Sequence, residues 1–133
     1  MSKWIIVEDE PDLYSMLVNL NAVFGVETVG FGDGESSLMW LTSLGKKKND
    51  DILPELALID IRLPGKVSGV DVSWAIRQTS PLANIPIVLI TAYRLTPEEE
   101  QDVMMQSDAN LLIYKPLPGT KQLRKILFGL LNE

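Results

Sequence analysis

The sequence predicts an α/β fold in which an open, doubly wound parallel sheet of five strands is covered by five helices. Short apolar runs alternate with amphipathic segments along the whole chain, which is the pattern of successive βα units. The apolar runs are nearly continuous, as expected for strands that helices cover on both faces. Because 133 residues is the size of one ordinary domain, we predict a single domain over residues 1–133.

The predicted strands are short runs rich in branched and aromatic residues. They are Trp4–Val7, Glu27–Phe31, Leu56–Ile59, Ile87–Thr91 and Leu111–Tyr114.

Each predicted helix has an apolar face or a start signal. The first has apolar residues at i, i+3, i+4 and i+7, namely Leu13, Met16, Leu17 and Leu20. Its start combines a first-turn proline with acids that can cap it or favour its dipole: Pro11, with Glu10 or Asp12.

The second helix is predicted to begin after Gly34 and to end near Gly45, and the third to cover roughly Val70–Thr79. The fourth follows Thr96-Pro97-Glu98-Glu99, which supplies a cap, a first-turn proline and acids that suit the helix dipole. The fifth follows Pro118-Gly119 and has an apolar face formed by Leu123, Ile126, Leu127, Leu130 and Leu131.

Composition excludes several kinds of function. The chain has no cysteine and no histidine, so disulfides, thiolate metal sites and histidine bases are absent. A net charge of −6 disfavours binding to nucleic acid, and we expect the one basic run, Lys46-Lys47-Lys48, to be a solvated loop. We see no signal peptide and no apolar span of membrane length, so we expect a cytoplasmic protein without a membrane partner.

Polar residues lie at the carboxyl ends of four of the five predicted strands, where doubly wound sheets bind ligands. They are Glu8-Asp9, Asp60, Thr91 and Lys115-Pro116. Each alone is more often a turn former, a helix cap or a solvated charge than a functional residue. Together, three crowded carboxylates raise one another's pKa unless a cation holds them, and oxygen ligands without histidine or cysteine favour Mg²⁺. An aspartate in such a site can attack phosphorus to form an aspartyl phosphate, while Thr91 and Lys115 neutralise the phosphoryl oxygens.

Four stretches in this order resemble the receiver domain of two-component response regulators, the CheY-like family, which has a flavodoxin-like (βα)5 fold. They are IIVEDEP at Ile5–Pro11, LALIDIRLPG at Leu56–Gly65, PIVLITAY at Pro86–Tyr93 and YKPL at Tyr114–Leu117. The resemblance covers the whole chain.

The resemblance implies a role for each strand-end residue. Asp60 is then the phosphorylated residue, Asp9 a direct Mg²⁺ ligand, and Glu8 an acid that acts through water. The backbone carbonyl of Arg62 is a third metal contact, while Thr91 and Lys115 each bind a phosphoryl oxygen. The resemblance also implies a cis peptide bond between Lys115 and Pro116.

The chain departs from the family pattern at several positions. The family usually has aspartate at the position of Glu8, and an aromatic residue or histidine that changes rotamer at the position of Leu112. Tyr114 lies on the same strand face as Leu112, so it can partly take over that role. The loop from Asp60 to Gly69 is one residue longer than usual. The bulk of Arg62 and Tyr93, each two residues beyond a motif residue, predicts slow hydrolysis of the phosphoryl group.

The implied function is a signalling switch, not a turnover enzyme, with a sensor histidine kinase or phosphotransfer protein as phosphodonor. A first alternative is a receiver-fold module that docks constitutively, because Leu112 weakens the usual switch. A second is a phosphatase of the haloacid-dehalogenase type, which needs its nucleophile in the first strand and a second aspartate where this chain has Arg62. Gly30-x-Gly32-x-Gly34 lacks dinucleotide-binding spacing and is interpreted as a turn.

The sequence leaves three points open. It names neither the kinase nor the output partner, and it leaves the oligomeric state undecided, a homodimer included. It also does not distinguish a stand-alone regulator from a fragment of a longer protein.

Overall fold

A computed structural model describes residues 2–44 and 52–132. Five strands form one parallel sheet in the order β2-β1-β3-β4-β5. The strands are β1 Lys3–Val7, β2 Glu27–Phe31, β3 Leu56–Asp60, β4 Ile87–Thr91 and β5 Leu111–Tyr114. Five parallel strands with helical crossovers confirm the predicted doubly wound α/β fold.

A helix follows each strand along the chain. The helices are α1 Pro11–Val23, α2 Gly34–Leu44, α3 Gly69–Arg77, α4 Pro97–Ser107 and α5 Thr120–Leu131, and a single 3₁₀ turn at Ser80–Leu82 precedes β4. Thr96 caps α4 as predicted: its hydroxyl accepts a hydrogen bond from the Glu99 N–H, and the Glu99 carboxylate accepts one from the Thr96 N–H.

The sheet separates two apolar cores because successive side chains of a strand point to opposite faces. On β1, Trp4 and Ile6 belong to one core, which includes Leu17 of α1 and Leu123 of α5. The alternate residue Ile5 belongs to the other core. That core takes side chains from α2 and α3, including Leu41, Val72 and Ile76.

The prediction that all strands are buried on both faces holds for the central three only. Every residue of β3 and β4 is buried, whereas β2 is half-buried and exposed at Glu27, and β5 is half-buried except at Ile113. The two less buried strands are the sheet edges, where one neighbouring strand is missing.

Several predicted boundaries differ by one or two residues. Strand β1 begins at Lys3 and β3 ends at Asp60, so the sheet reaches one residue further at each point. Helix α2 begins at Gly34, and α3 is Gly69–Arg77 instead of Val70–Thr79 because a capping box at Ser68 and Asp71 starts it earlier. The predicted α2 end at Gly45 and the run Lys46-Lys47-Lys48 lie outside the described residues.

Arg77, at the end of α3, binds the chain at the amino ends of β4 and β5. Its guanidinium donates hydrogen bonds to the backbone carbonyls of Ala83, Ile85 and Asp108 and to the side-chain oxygen of Asn110. The same Asn110 oxygen accepts the N–H of Ile87, the first residue of β4. This network holds two connections and α3 together at the end of the sheet opposite the carboxyl ends of the strands.

Over residues 2–44 and 52–132, none of the helices has the length and apolar character needed to cross a membrane.

Candidate functional site

Three carboxylates meet at the carboxyl ends of β1 and β3. One carboxylate oxygen from each of Glu8, Asp9 and Asp60 lies within 4.8 Å of the other two. Glu8 and Asp60 are buried, and Asp9 is exposed at the rim. The central position of β1 and β3 in the sheet places these acids side by side, as the strand-end pattern predicts.

Lys115 contacts two of these acids from the end of β5. Its Nζ donates a hydrogen bond to Asp60 Oδ2 at 2.6 Å and lies 3.2 Å from Glu8 Oε1. Burial alone lowers the pKa of Lys115, but the hydrogen bonds and negative charges of Asp60 and Glu8 outweigh it and raise that pKa above its ordinary value. Lys115 therefore stays protonated and supplies a fixed positive charge.

Glu8 is a buried acid whose pKa is raised by the site. It is 2% exposed, and its Oε2 accepts the N–H of Glu10 at 3.1 Å. Burial raises the pKa of Glu8 to about 7, the Glu10 N–H opposes that rise, and the charge of Asp60 adds to it. Near neutral pH the metal-free site therefore holds a carboxyl group that is partly protonated.

The backbone after β3 binds the Asp60 carboxylate. The Arg62 N–H donates to Asp60 Oδ1 at 2.9 Å, so both carboxylate oxygens have a donor. Gly69 starts α3 directly against this turn: its N–H donates to the Ile61 carbonyl, and a methyl group at Gly69 would overlap the Asp60 carbonyl. Any side chain at position 69 would therefore force this backbone to shift.

Thr91 forms part of the wall of the site, and Arg62 and Tyr93 lie at its rim. Thr91 is buried, and its Oγ accepts the N–H of Tyr93 at 3.1 Å. The guanidinium of Arg62 lies 3.8 Å from the centre of the Tyr93 ring, which is cation–π distance. Sequence reasoning selected both residues for their bulk but did not reveal that they stack on each other.

The acidic cluster fits a divalent cation. Glu8 Oε1 is buried and, within the described part of the chain, receives no hydrogen bond of good geometry although the Lys115 ammonium is near. A buried carboxylate oxygen without a donor, beside two further carboxylates, is the hard oxygen environment that Mg²⁺ prefers. The further metal contact expected from the Arg62 carbonyl stays a prediction.

The Lys115–Pro116 peptide bond is cis, which confirms that prediction. Leu112 packs on the core formed with α3 and α4. Tyr114 also reaches α4: its hydroxyl donates to Glu100 Oε1 at 2.8 Å and accepts the Leu95 N–H at 3.4 Å, and the Arg94 guanidinium lies 4.6 Å from its ring centre. Both side chains therefore lie on one face of β5, as predicted.

Residues 4–128 match the response regulator receiver domain family. The chain is 31% identical over 112 residues to the DNA-binding response regulator MtrA of Mycolicibacterium smegmatis, covering 84% of this chain but 43% of MtrA. It is 29% identical over 113 residues to the polar-differentiation response regulator DivK of Brucella ovis, covering 85% of this chain and 83% of DivK. The chain thus spans less than half of the length of MtrA.

Solved structures share the fold. The chemotaxis protein CheY4 of Vibrio cholerae superposes with a TM-score of 0.78 at 22% identity, covering 98% of both chains. The receiver domain of sensor histidine kinase PA1611 from Pseudomonas aeruginosa, solved with a magnesium ion coordinated in its active-site cleft, superposes with a TM-score of 0.79 at 20% identity, covering 99% of this chain and 98% of that one.

Receiver domains are signalling domains of two-component systems, and they bind Mg²⁺ in an acidic pocket of the kind that Glu8, Asp9 and Asp60 form here. By its match over residues 4–128 and its five-stranded fold, this chain belongs to the response regulator receiver domain family.

Proposed function

We propose that Asp60 accepts a phosphoryl group from a sensor histidine kinase or a phosphotransfer protein, and that the phosphorylated domain changes its affinity for a protein partner. The observation that carries the proposal is the arrangement around Asp60: an ammonium at 2.6 Å, two neighbouring carboxylates and a buried hydroxyl at the end of the adjacent strand. The Lys115 ammonium places a positive charge directly beside the proposed nucleophile.

In the proposed step an Asp60 carboxylate oxygen forms a bond to phosphorus while the bond from phosphorus to the donor's imidazole nitrogen breaks. The imidazole leaves with the electron pair and takes a proton from solvent. Lys115 then shifts from the carboxylate to a phosphoryl oxygen, and the Thr91 hydroxyl donates to another. Positioning and charge neutralisation of this kind are most of what phosphoryl transfer requires.

Asp9, Asp60 and the Arg62 carbonyl would hold Mg²⁺ directly, with Glu8 acting through water. When bound, this ion supplies positive charge against the phosphoryl oxygens. The need for a cation explains why three acids lie together while a single lysine opposes them.

A groove beside the site suits a helix of the phosphodonor. It has a volume of about 710 Å³ and lies between α1 and the segment leading into α5, with Leu13, Met16, Leu20, Leu117 and Pro118 in its walls. Lys115 also lines it, so a helix seated there would present a phosphohistidine close to Asp60. A histidine kinase as donor implies a cytoplasmic site of action.

The test is phosphorylation by acetyl phosphate with Mg²⁺, read by intact mass. We expect wild type to gain one phosphoryl group, Asp60→Asn to gain none, and the exposed control Asp102→Asn to behave as wild type. No gain in wild type, or a gain that survives Asp60→Asn, would overturn the proposal and favour the constitutive docking module.

A further inference from the structure

A second groove lies between α3 and α4, and the phosphoacceptor site uses none of its side chains. Val70, Asp71 and Trp74 line it from α3, and Met105 and Gln106 line it from α4. Its volume is about 400 Å³. We call these five residues the α3/α4 groove.

The groove exposes two large apolar side chains. Trp74 is 50% exposed and Met105 is 78% exposed. The core on this face of the sheet takes other residues of the two helices, among them Val72 and Val103. Trp74 and Met105 thus form an additional apolar surface that packing of the domain does not require, and Trp and Met are among the residues enriched in protein interfaces.

The two walls of the groove are fixed relative to each other. The Ser73 hydroxyl of α3 donates to the Ser107 carbonyl of α4 at 2.7 Å, and both residues are fully buried. The Ser107 hydroxyl in turn accepts the N–H of Ala109. Because these walls are already held in place, little conformational entropy of the protein is lost when a ligand binds in the groove.

The charge around the groove is negative. Helix α4 contains four acids and no lysine or arginine. Glu98, Asp102, Met105 and Gln106 are spaced at i, i+4, i+7 and i+8, so they share one face of α4. The one basic residue of α3, Arg77, directs its guanidinium to backbone carbonyls and to Asn110, away from the groove.

Two further acids of α4 have partners elsewhere. Glu99 closes the capping box by accepting the Thr96 N–H, and Glu100 accepts the Tyr114 hydroxyl on the side towards β5. Glu98 and Asp102, both exposed, are therefore the carboxylates on the face of α4 that carries Met105. On α3, Asp71 lines the groove with Trp74, and its Oδ2 also accepts the Ser68 N–H in the capping box of that helix.

We propose that the α3/α4 groove binds a basic, amphipathic segment of another protein. An apolar side chain of that segment inserts between Trp74 and Met105, and flanking lysine or arginine residues face Asp71, Glu98 and Asp102. A second copy of this chain fits less well, because two acidic grooves facing each other repel. The same negative charge disfavours nucleic acid and anionic membranes. The interaction does not involve Asp60 and goes beyond phosphoacceptance.

The test uses three synthetic 14-residue peptides and the full chain. The first has leucines on one helical face and lysines elsewhere, the second has glutamate in place of lysine, and the third has the composition of the first in an order that breaks the apolar face. Binding is measured by isothermal titration calorimetry, and the position of binding by ¹⁵N chemical-shift changes that include the Trp74 indole. We expect the first peptide to bind at least tenfold more tightly than the other two, with shifts concentrated in α3 and α4.

Matched variants locate the site. Met105→Glu in the groove is compared with Met39→Glu, because Met39 on α2 is 74% exposed and the added charge is the same. Asp102→Asn is compared with Asp12→Asn, another exposed acid on a helix. We expect Met105→Glu to weaken binding at least tenfold and Asp102→Asn about threefold, while both controls stay within twofold of wild type.

Three results would overturn the proposal: equal binding of the first and third peptides, equal loss in the groove and control variants, or chemical shifts centred outside α3 and α4. A wild-type dimer in sedimentation that Met105→Glu dissociates would instead assign the groove to a second copy. Each groove variant is also phosphorylated with acetyl phosphate. An unchanged mass gain shows that it is folded, and Asp60→Asn is expected to bind the first peptide as wild type does, which separates this inference from the proposed function.

Discussion

Glu8 gives the sharpest quantitative prediction, because a buried acid of raised pKa makes stability depend on pH. The folded chain binds a proton on Glu8 more tightly than the unfolded chain, so the resulting stabilisation is fully present below the ordinary pKa of 4.5 and is lost as pH rises through about 7. Each pKa unit corresponds to about 1.4 kcal/mol. Between pH 5 and pH 8, Glu8 is therefore expected to remove roughly 2 to 3 kcal/mol from the free energy of unfolding of the metal-free protein.

Glu8→Gln removes this dependence, since glutamine resembles the protonated acid and does not titrate. We expect the variant to be more stable than wild type at pH 8 by roughly 2 to 3 kcal/mol, and the two to converge towards pH 5. The assay is urea unfolding at several pH values with a chelator present. The control is Glu27→Gln, at an exposed position on β2, which should follow the wild-type profile.

A second arm adds Mg²⁺ at pH 8. Bound cation compensates the ionised carboxylate and binds only the folded site, so it should raise the stability of wild type more than that of Glu8→Gln. Parallel pH profiles of wild type and Glu8→Gln in the chelated protein would refute the reasoning, because they would show that burial does not disfavour the ionised form of Glu8.

Three further predictions follow from the structure. Gly69→Ala should lower the free energy of unfolding by about 2 to 4 kcal/mol in thermal or urea unfolding, because the added methyl group meets the backbone carbonyl of Asp60. The control is Gly129→Ala in the interior of α5, where the methyl group meets nothing within 4 Å and should raise the free energy of unfolding by about 0.5 to 1 kcal/mol. Equal effects of the two substitutions would contradict this argument. Arg62→Ala combined with Tyr93→Ala should shorten the phosphoryl half-life followed by mass, because we expect the stacked pair to limit the access of water to the phosphoryl group; an unchanged half-life would contradict that role. Tyr114→Phe removes the hydrogen bond to α4 and should lower the free energy of unfolding measured in urea; an unchanged free energy would contradict a stabilising role for that bond.

The fold could be predicted from sequence because its strands are apolar runs and its helices have apolar faces or caps, all of which are local signals. The edge positions of β2 and β5 were not predicted, because an apolar run does not report where its strand lies in the sheet. The early start of α3 depends on reciprocal bonds between Ser68 and Asp71, which a helical periodicity does not display.

For the candidate site, the sequence identified which residues reach the strand ends but not how they interact. The direct bond between Lys115 and Asp60 joins residues 55 positions apart, and its length follows from the packing of β3, β4 and β5. The raised pKa of Glu8 depends on burial, and the contact of Arg62 with Tyr93 depends on the path of two loops. Such properties belong to the folded chain and have no local sequence signal.

The hydrogen bonds of Arg77 connect the carboxyl end of α4 to neighbouring elements. Its Nε donates to the carbonyl of Asp108 at 2.9 Å, so the carboxyl end of α4 is attached to α3 and to the starts of β4 and β5. In its amino-terminal half, α4 accepts a hydrogen bond from the side chain of Tyr114, the neighbour of Lys115. The phosphoacceptor site is thus connected to α4 through Tyr114, in the half of that helix remote from the Arg77 network.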